Sequence, residues 1–224
     1  MNAARVAEVS DAGQGLIHLT LEMPPEVEAS FTLPGQYLEL SLDGHGPRPY
    51  AVASAPQTGN RFEFLVRRGF PLADSIAGLP PGSQVLVSRA IGPGFPMDAV
   101  KGKDLLLVAT GTGAAPMRSV IHAIGAHRDE FGAVTFYFGG RHGKDFAFEK
   151  DWPRWDSNRV KLVRTVSETD AQWPGLRGFV QDHFEPMRWQ DAAAFVVGSN
   201  PMVQAVTAEL VKRGMPREQI FLNL

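Results

Sequence analysis

Three short stretches hold residues whose types and spacing suit phosphates and flat rings. In Arg48-Pro-Tyr-Ala-Val-Ala-Ser54, Arg48 offers a fixed fork of donors that matches a phosphate oxygen. Tyr50 offers a flat face and a hydroxyl suited to covering an aromatic ring system. Pro49 fixes the backbone between them, and on a strand the alternation points Arg48 and Tyr50 the same way. Taken alone, this stretch is equally a surface arginine beside a barrel tyrosine. The second stretch, Leu107-Val-Ala-Thr-Gly-Thr-Gly-Ala-Ala-Pro116, runs a buried-strand pattern into a tight turn. Gly111 and Gly113 allow an approach that a side chain would block. Pro116 suits the first position of a helix, whose free amides and dipole favour a pyrophosphate. A bare glycine pair is also a plain structural turn. The third, Val197-Gly-Ser-Asn-Pro-Met202, reads by itself as a strand–turn–helix junction.

The surrounding pattern says what must position these stretches. From Arg5 to about Arg89 the chain consists of short strand-like runs broken by Gly and Pro: 16–21, 36–42, 61–66 and 84–87. Alternation in the second and third runs predicts one buried face each, and several such runs at this spacing predict a small antiparallel β-barrel. One helix is expected near 72–79, ahead of Pro80-Pro-Gly82. After Lys101 the rhythm changes. Leu105-Leu-Leu-Val-Ala109 is apolar throughout, as in a parallel strand covered on both faces. Further strands are expected at 133–138, 161–166 and 194–197, and helices at 117–126 and 202–213. Strand and helix alternating at this interval predict a doubly wound α/β parallel sheet. The expected organisation is therefore a barrel domain over 1–100 and an α/β domain over 101–224, joined through the Gly- and Pro-rich 91–103.

Arg-Pro-Tyr-Ala resembles the Arg-x-Tyr-Ser/Thr flavin motif of the ferredoxin–NADP reductase superfamily. Leu33-Pro-Gly-Gln-Tyr37, Phe64-Leu-Val-Arg-Arg68 and Gly92-Pro-Gly-Phe95 are similar to that family's barrel. Gly111-Thr-Gly-Ala-Ala-Pro116 resembles its Gly-Thr-Gly-x-Ala-Pro nicotinamide motif. It is not a Rossmann Gly-x-Gly-x-x-Gly, because Pro116 takes the last position. Val197-Gly-x-x-x-Met202 resembles its Cys-Gly-x-x-x-Met, with valine for cysteine. The resemblance runs from about Arg5 to Leu222, with the motifs in the family's order. It implies FAD, with Arg48 and Pro49 at the pyrophosphate and Tyr50 and Ala51 at the reacting ring. It extends flavin contacts to Val66 and to a second phosphate loop at Ala73, Asp74 and Ser75, where Asp74 is alternatively a helix cap. It assigns the nicotinamide nucleotide to Thr110, Gly111, Thr112, Gly113, Ala114, Ala115 and Pro116, and to Gly198, Ser199, Asn200, Pro201 and Met202. Ala51 stands where the family has a hydroxyl near flavin N5, so any hydrogen bond to N5 must come from backbone or water.

Two places bear on NADH against NADPH. Arg141 or Lys144 would meet a 2′-phosphate, whereas Ser167-Glu168 stands where NADPH-using relatives carry Ser-Arg. Glu168 repels a phosphate, so NADH is expected. The implied activity is transfer of a hydride from NAD(P)H to FAD. Electrons then pass to a redox protein such as a ferredoxin, an oxygenase component or a subunit of a larger complex. The run Ala115-Pro-Met-Arg-Ser-Val120 resembles the Ala-Pro-Leu-Arg-Ser of electron-transfer subunits. The alternative is a non-catalytic flavin- or dinucleotide-binding subunit, which Ala51, Val197 and the lack of a terminal aromatic after Ile220-Phe-Leu-Asn-Leu224 keep open. A short-chain dehydrogenase is set aside, because no Tyr-x-x-x-Lys occurs.

Composition narrows the rest. The chain has 224 residues, 44% hydrophobic and 21% charged, with a net charge of −2, which gives no support to nucleic-acid or anionic-membrane binding. Zero cysteines exclude disulfides, thiolate metal sites and cysteine-ligated iron–sulfur clusters. The start lacks the apolar core of a signal peptide and no apolar run approaches a membrane span, so a cytoplasmic protein is expected. The histidines show no metal-ligand spacing; His122 and His127 are expected in solvent, and Asp151 and Asp156 have no evident acid–base partner, which flavin hydride transfer would not require.

Overall fold

In the computed structural model, which describes residues 1–13, 15–125, 127–169 and 171–223, the alternating runs of the first ninety residues form one antiparallel sheet. In chain order its elements are β1 (Asn2–Asp11), β2 (Leu16–Glu22), the short helix α1 (Pro25–Glu28), β3 (Tyr37–Leu42), β4 (His45–Ala51), β5 (Arg61–Arg67), α2 (Pro71–Ala77) and β6 (Gln84–Val87). The spatial order is β4-β3-β6-β1-β2-β5. Just past β4, Val52 bridges antiparallel to Phe64 of β5, and the Ala53 amide donates to the Glu63 carbonyl at 2.7 Å. These bonds join the two edge strands and curl the sheet into a barrel. Its interior holds Leu19, Leu21, Leu38, Leu40, Phe64 and Val66, all fully buried. The strand β4 forms despite Pro47 and Pro49, which an edge strand tolerates because their missing amides are not needed in a central ladder.

The second half is a parallel sheet with helical crossovers. Its elements are β7 (Asp104–Thr110), α3 (Ala114–Gly125), β8 (Val134–Gly140), α4 (Trp152–Ser157), β9 (Val160–Val166), β10 (Leu176–Arg177), β11 (Ala192–Val197), α5 (Asn200–Lys212) and β12 (Ile220–Leu222). The order is β10-β9-β8-β7-β11-β12. The chain steps outward from β7 through β8 and β9, then returns to lay β11 on the other side of β7. That reversal makes a topological switch point, where doubly wound sheets leave a crevice at the carboxyl ends of their strands. The helix expected to open at Met117 begins at Ala114, because Pro116 sits in its first turn; its expected end, Ala126, lies outside the described residues. The two-residue β10 and three-residue β12 have no signal in the sequence and follow from docking beside longer strands.

The halves share one core. Leu16, Ala53 and Leu65 of the barrel and Phe95 of the connecting segment cluster with Leu105, Leu107, Phe136 and Phe195 of the parallel sheet. Phe95 stacks on Phe195 with ring centroids 4.2 Å apart and planes 9° from parallel. The connecting segment is held to the barrel as well. The Phe95 amide donates to the Pro34 carbonyl at 2.7 Å, and Gln36 Nε2 donates to the Gly92 carbonyl at 3.0 Å.

Candidate functional site

Two clefts open at the seam between the sheets. The larger, about 1150 Å³, lies over the carboxyl ends of β7, β8, β9 and β11. Thr110, Gly111, Thr112 and Gly113 line it, together with Gly139, Arg141, Ser167, Glu168, Gly198, Ser199, Pro201 and Met202. The smaller, about 790 Å³, runs along β4 from His45 through Arg48, Pro49, Tyr50 and Ala51, and is closed by Leu65, Phe70, Pro71, Ala115 and Pro116. Arg67, Thr112, Gly113 and Val197 line both. The switch point of the sheet thus opens directly onto the barrel strand that carries Arg48 and Tyr50.

Local chemistry explains this closeness. In β4, Tyr50 pairs with Leu38 and Arg48 with Leu40 of β3, so both side chains leave the same face. Tyr50 is half-buried, and burial raises its phenol above the ordinary value against the opposing pull of the Arg48 charge. It therefore stays a neutral platform at physiological pH. The Arg48 and Arg67 guanidinium groups make no hydrogen bond or ion pair among the described residues. On the other side, the turn Gly111–Gly113 passes into α3, and its Thr112 and Gly113 line both clefts. A methyl built on Gly113 would come within 2.6 Å of the Val197 carbonyl oxygen, so only glycine lets the turn press against the end of β11. Gly198 is equally confined, between the Met202 thioether and Thr110.

The expected residues divide by placement. Arg48, Pro49, Tyr50 and Ala51 are brought together in the small cleft, and Thr110 to Gly113 with Arg141, Ser167, Gly198, Ser199, Pro201 and Met202 in the large one. Others stand behind the walls. Val66 and Ala73 are buried in the barrel core and Ala114 in the shared core; it is Leu65, beside Val66, that faces the cleft. Asp74 closes the loop before α2, accepting from the Gly69 amide at 3.1 Å and lying 3.4 Å from Arg68 Nε. Ser75 reaches the small cleft only through His45, its Oγ 2.9 Å from His45 Nε2. Asn200 is exposed at the start of α5 and lines neither cleft. Phe221, the candidate ring cover, lies edge-on to Phe195, centroids 5.7 Å apart, and also lines neither; Leu224 is outside the described residues.

Sequence reading missed several lining residues. Arg67 sat in a barrel motif read as structural, and only its position opposite Gly111 brings it to the seam. His45 and Phe70 flank the small cleft, and Phe179, 61% exposed, flanks the large one. Phe70 is likewise exposed, at 62%, so each cleft has a flat ring at its edge. Glu168 lies 3.7 Å from Arg141 Nε and 3.4 Å from His142 Nε2, while Asp145 accepts the amides of both residues at 2.9 Å. Two carboxylates, Asp145 and Glu168, thus line the large cleft beside Arg141 and His142. Among the described residues no group of three or more His, Asp or Glu could hold a metal ion.

Two adjoining clefts, with the Arg48 and Arg67 guanidinium groups, a half-buried tyrosine face and a glycine turn pressed on the facing strand in their walls, have the size and chemistry that suit a pair of dinucleotides. FAD suits the small cleft. A nicotinamide nucleotide fits the large one.

Residues 107–208 match the family profile of the oxidoreductase NAD-binding domain. The chain is 33% identical over 210 residues to sulfhydrogenase 1 subunit gamma of Pyrococcus furiosus, covering 89% of this chain and 70% of that one. It is 31% identical over 208 residues to ferredoxin–NADP reductase B of Sorangium cellulosum, covering 84% and 83%. Among solved structures, a Neisseria gonorrhoeae ferredoxin NADP+ reductase with bound FAD and NADP superposes with a TM-score of 0.82 at 21% identity, over 99% of this chain and 97% of that one.

Proposed function

The chain belongs to the ferredoxin–NADP reductase superfamily of FAD- and NAD(P)-binding oxidoreductases, and on that premise we propose that it draws electrons from NADH, across the wall shared by its two clefts, to flavin and on to a protein acceptor. It is an FAD-dependent NAD(P)H reductase; the choice of NADH, the residue roles and the division into a flavin domain over 1–100 and a nucleotide domain over 101–224 are the proposal. The observation that supports it is the shared wall of Arg67, Thr112, Gly113 and Val197, across which a nicotinamide in one cleft would face a ring in the other.

Bound FAD supplies the redox chemistry, accepting two electrons as a hydride from the nicotinamide together with one proton and releasing electrons singly or in pairs. The protein's part is orientation and exclusion of water. Arg48 anchors phosphate by a charge-assisted fork. Tyr50 covers the ring, and Leu65 and Pro116 keep the remaining walls dry. Ala51 brings no hydroxyl, so the polar contact beside the reacting nitrogen falls to backbone or water. The amides of Thr112 and Gly113, just ahead of a twelve-residue helix, hold the second pyrophosphate. Val66 and Ala73 act through packing, Asp74 by fixing the loop, and Ser75 by holding His45.

Glu168 and Asp145 favour NADH, because a 2′-phosphate brought beside two carboxylates meets like charge. Phe179 offers its face to the adenine. The acceptor is a ferredoxin, an oxygenase component or a partner subunit, in keeping with one relative that is a subunit and another that is a ferredoxin reductase. Among the described residues no helix is long and apolar enough to cross a membrane; a cytoplasmic setting, where reduced nicotinamide is generated, completes the reading.

The test is anaerobic addition of NADH, and in parallel NADPH, to the FAD-supplied protein while the visible flavin band is followed. Prompt bleaching, faster with NADH, is expected. Flavin that stays oxidised with both nucleotides would sink the proposal.

A further inference from the structure

We propose that Arg118 is a positioning residue: a buried clasp that sets the distance between the flavin strand and the nicotinamide turn, and through it the rate of electron transfer between them. This rests on the reductase reading above. The two segments that carry the cofactor motifs meet a second time, a few residues beyond each motif. Past the turn Gly111–Gly113, Arg118 and Ser119 lie in α3. Past Ala51, the chain continues through Ala53 and Ser54. Ser119 Oγ donates to the Ser54 carbonyl at 2.6 Å, and Arg118 Nη1 to the Ala53 carbonyl at 3.2 Å.

Arg118 gathers two further elements. Its Nη1 lies 2.6 Å from Glu63 Oε2 on β5, and its Nε lies 2.5 Å from Asp151 Oδ2. The Phe148 ring covers the guanidinium with its centroid 5.0 Å from Cζ, and Arg118 is only 6% exposed. Burial works against the charge, but Glu63 and Asp151 more than offset it and hold the group firmly protonated. A buried, forked ion pair of this kind adds little net stability over a well-packed apolar substitute; it adds directional contacts that permit one arrangement of the parts. Neither Arg118 nor Glu63 lines a cleft, so the clasp touches no ligand.

The lever arms are short and nearly equal. Arg118 follows Gly113 by five residues, about 7.5 Å along a helix. Ala53 follows Ala51 by two, about 6.6 Å along an extended chain. A slip at the clasp is therefore delivered almost whole to the wall where the ligands meet, and a misplacement of about 1 Å there reduces transfer on the order of 100-fold.

The experiment compares wild type with Arg118→Met, Arg118→Lys and Glu63→Gln as FAD-loaded full-length proteins. Stopped-flow reduction gives the limiting rate and the half-saturating NADH concentration, fluorescence titration of apoprotein gives FAD affinity, and calorimetry gives the unfolding profile. Glu63 and Asp151 side chains are 26% and 24% exposed, so water can take over their solvation once the arginine is gone. Arg118→Met is expected to lower the limiting rate at least tenfold, with FAD affinity and NADH half-saturation within twofold of wild type. Arg118→Lys is expected to recover part of the rate, and the unfolding profile of Arg118→Met to split into transitions further apart than in wild type. A limiting rate equal to wild type overturns the inference. So does a fall in rate matched by a loss of FAD affinity and a rise in the half-saturating NADH concentration, which marks general damage. If Arg118→Met does not fold, Glu63→Gln carries the same expectation at roughly half the effect. Should wild type itself resist reduction by both nucleotides, the reductase reading fails, and the calorimetric splitting still decides whether Arg118 clasps the halves.

Discussion

Gly113→Ala is the sharpest probe of the shared wall. The added methyl would lie 2.6 Å from the Val197 carbonyl oxygen and 3.1 Å from its carbon, both backbone atoms at the end of β11. To restore an ordinary 3.4 Å contact, the turn or the strand end must move by about 0.8 Å. The backbone at Gly113 has an ordinary negative φ, so the damage comes from displacement alone. Overpacking of this kind costs about 1–3 kcal/mol, which lowers Tm by roughly 2–4 °C per kcal/mol in a chain of this size. The catalytic effect should be larger. A shift approaching 1 Å between reacting groups reduces transfer by roughly 10- to 100-fold, while Arg48 and Tyr50, on the other wall, keep the flavin bound. The assay is stopped-flow flavin reduction at saturating NADH, with FAD content measured on the same sample. Gly111→Ala is the control. Its methyl meets only the mobile end of Arg67 at 3.1 Å, though its φ of +57° makes alanine strained, so it should lose some stability with less than about a fivefold change in limiting rate. If Gly113→Ala reduces flavin within twofold of wild type, the turn does not set the approach of the two ligands.

Other perturbations follow from the same geometry. Arg48→Ala should weaken FAD retention by roughly 10- to 100-fold, from loss of a charge-assisted phosphate contact of about 1.5–3 kcal/mol; unchanged affinity in an equilibrium titration would remove the phosphate assignment. Glu168→Arg should shift the NADPH/NADH ratio of kcat/KM towards NADPH by at least about tenfold, and an unchanged ratio would mean that Glu168 does not face the ribose. Burial, and next the nearby Arg118 charge, lower the His122 imidazole from 6.5 to about 4, so the folded protein holds it neutral while the unfolded chain takes up a proton below pH 6.5. Its contribution to stability is therefore full above pH 6.5 and lost as pH falls to about 4, on the order of 3 kcal/mol in total. Urea unfolding across that window should be steeper in pH for wild type than for His122→Leu, and parallel curves would count against the assignment.

The segments that line the clefts were legible because each is local. Arg48 and Tyr50 need only a two-residue alternation on a strand, and the Gly111–Gly113 turn needs only an apolar strand before it and a helix after it. Both periods are written in neighbouring residues. The four longer strands of the parallel sheet were legible for the same reason, down to a continuous apolar run where a strand is covered on both faces, whereas the short β10 and β12 were not. What escaped was set by long-range docking. Asp151 has no partner within reach along the chain, and finds Arg118 only when the segment after β8 folds back against α3. His122 was expected in solvent, yet its Nε2 is buried without a hydrogen-bond partner, because α3 turns that face towards the barrel. Arg67 reaches the seam because β5 ends opposite the glycine turn of the other sheet.

This division has a mechanistic consequence. The motifs that line each cleft are short-range patterns written mainly in one half of the chain, although each cleft takes wall residues from the other half. The relation between the two ligands depends on contacts spread across both halves: Arg118 with Glu63, Ser119 with Ser54, and Phe95 with Phe195. A chain can therefore keep every recognisable motif and still transfer electrons poorly if the seam is altered. Substitutions at the seam should separate cofactor binding from cofactor reduction, whereas those in the motifs should affect binding first. Arg48→Ala and Arg118→Met, measured side by side for FAD affinity and limiting reduction rate, form the pair in which that separation is expected to be largest. Equal ratios of the two losses would mean that binding and alignment are a single property of this fold.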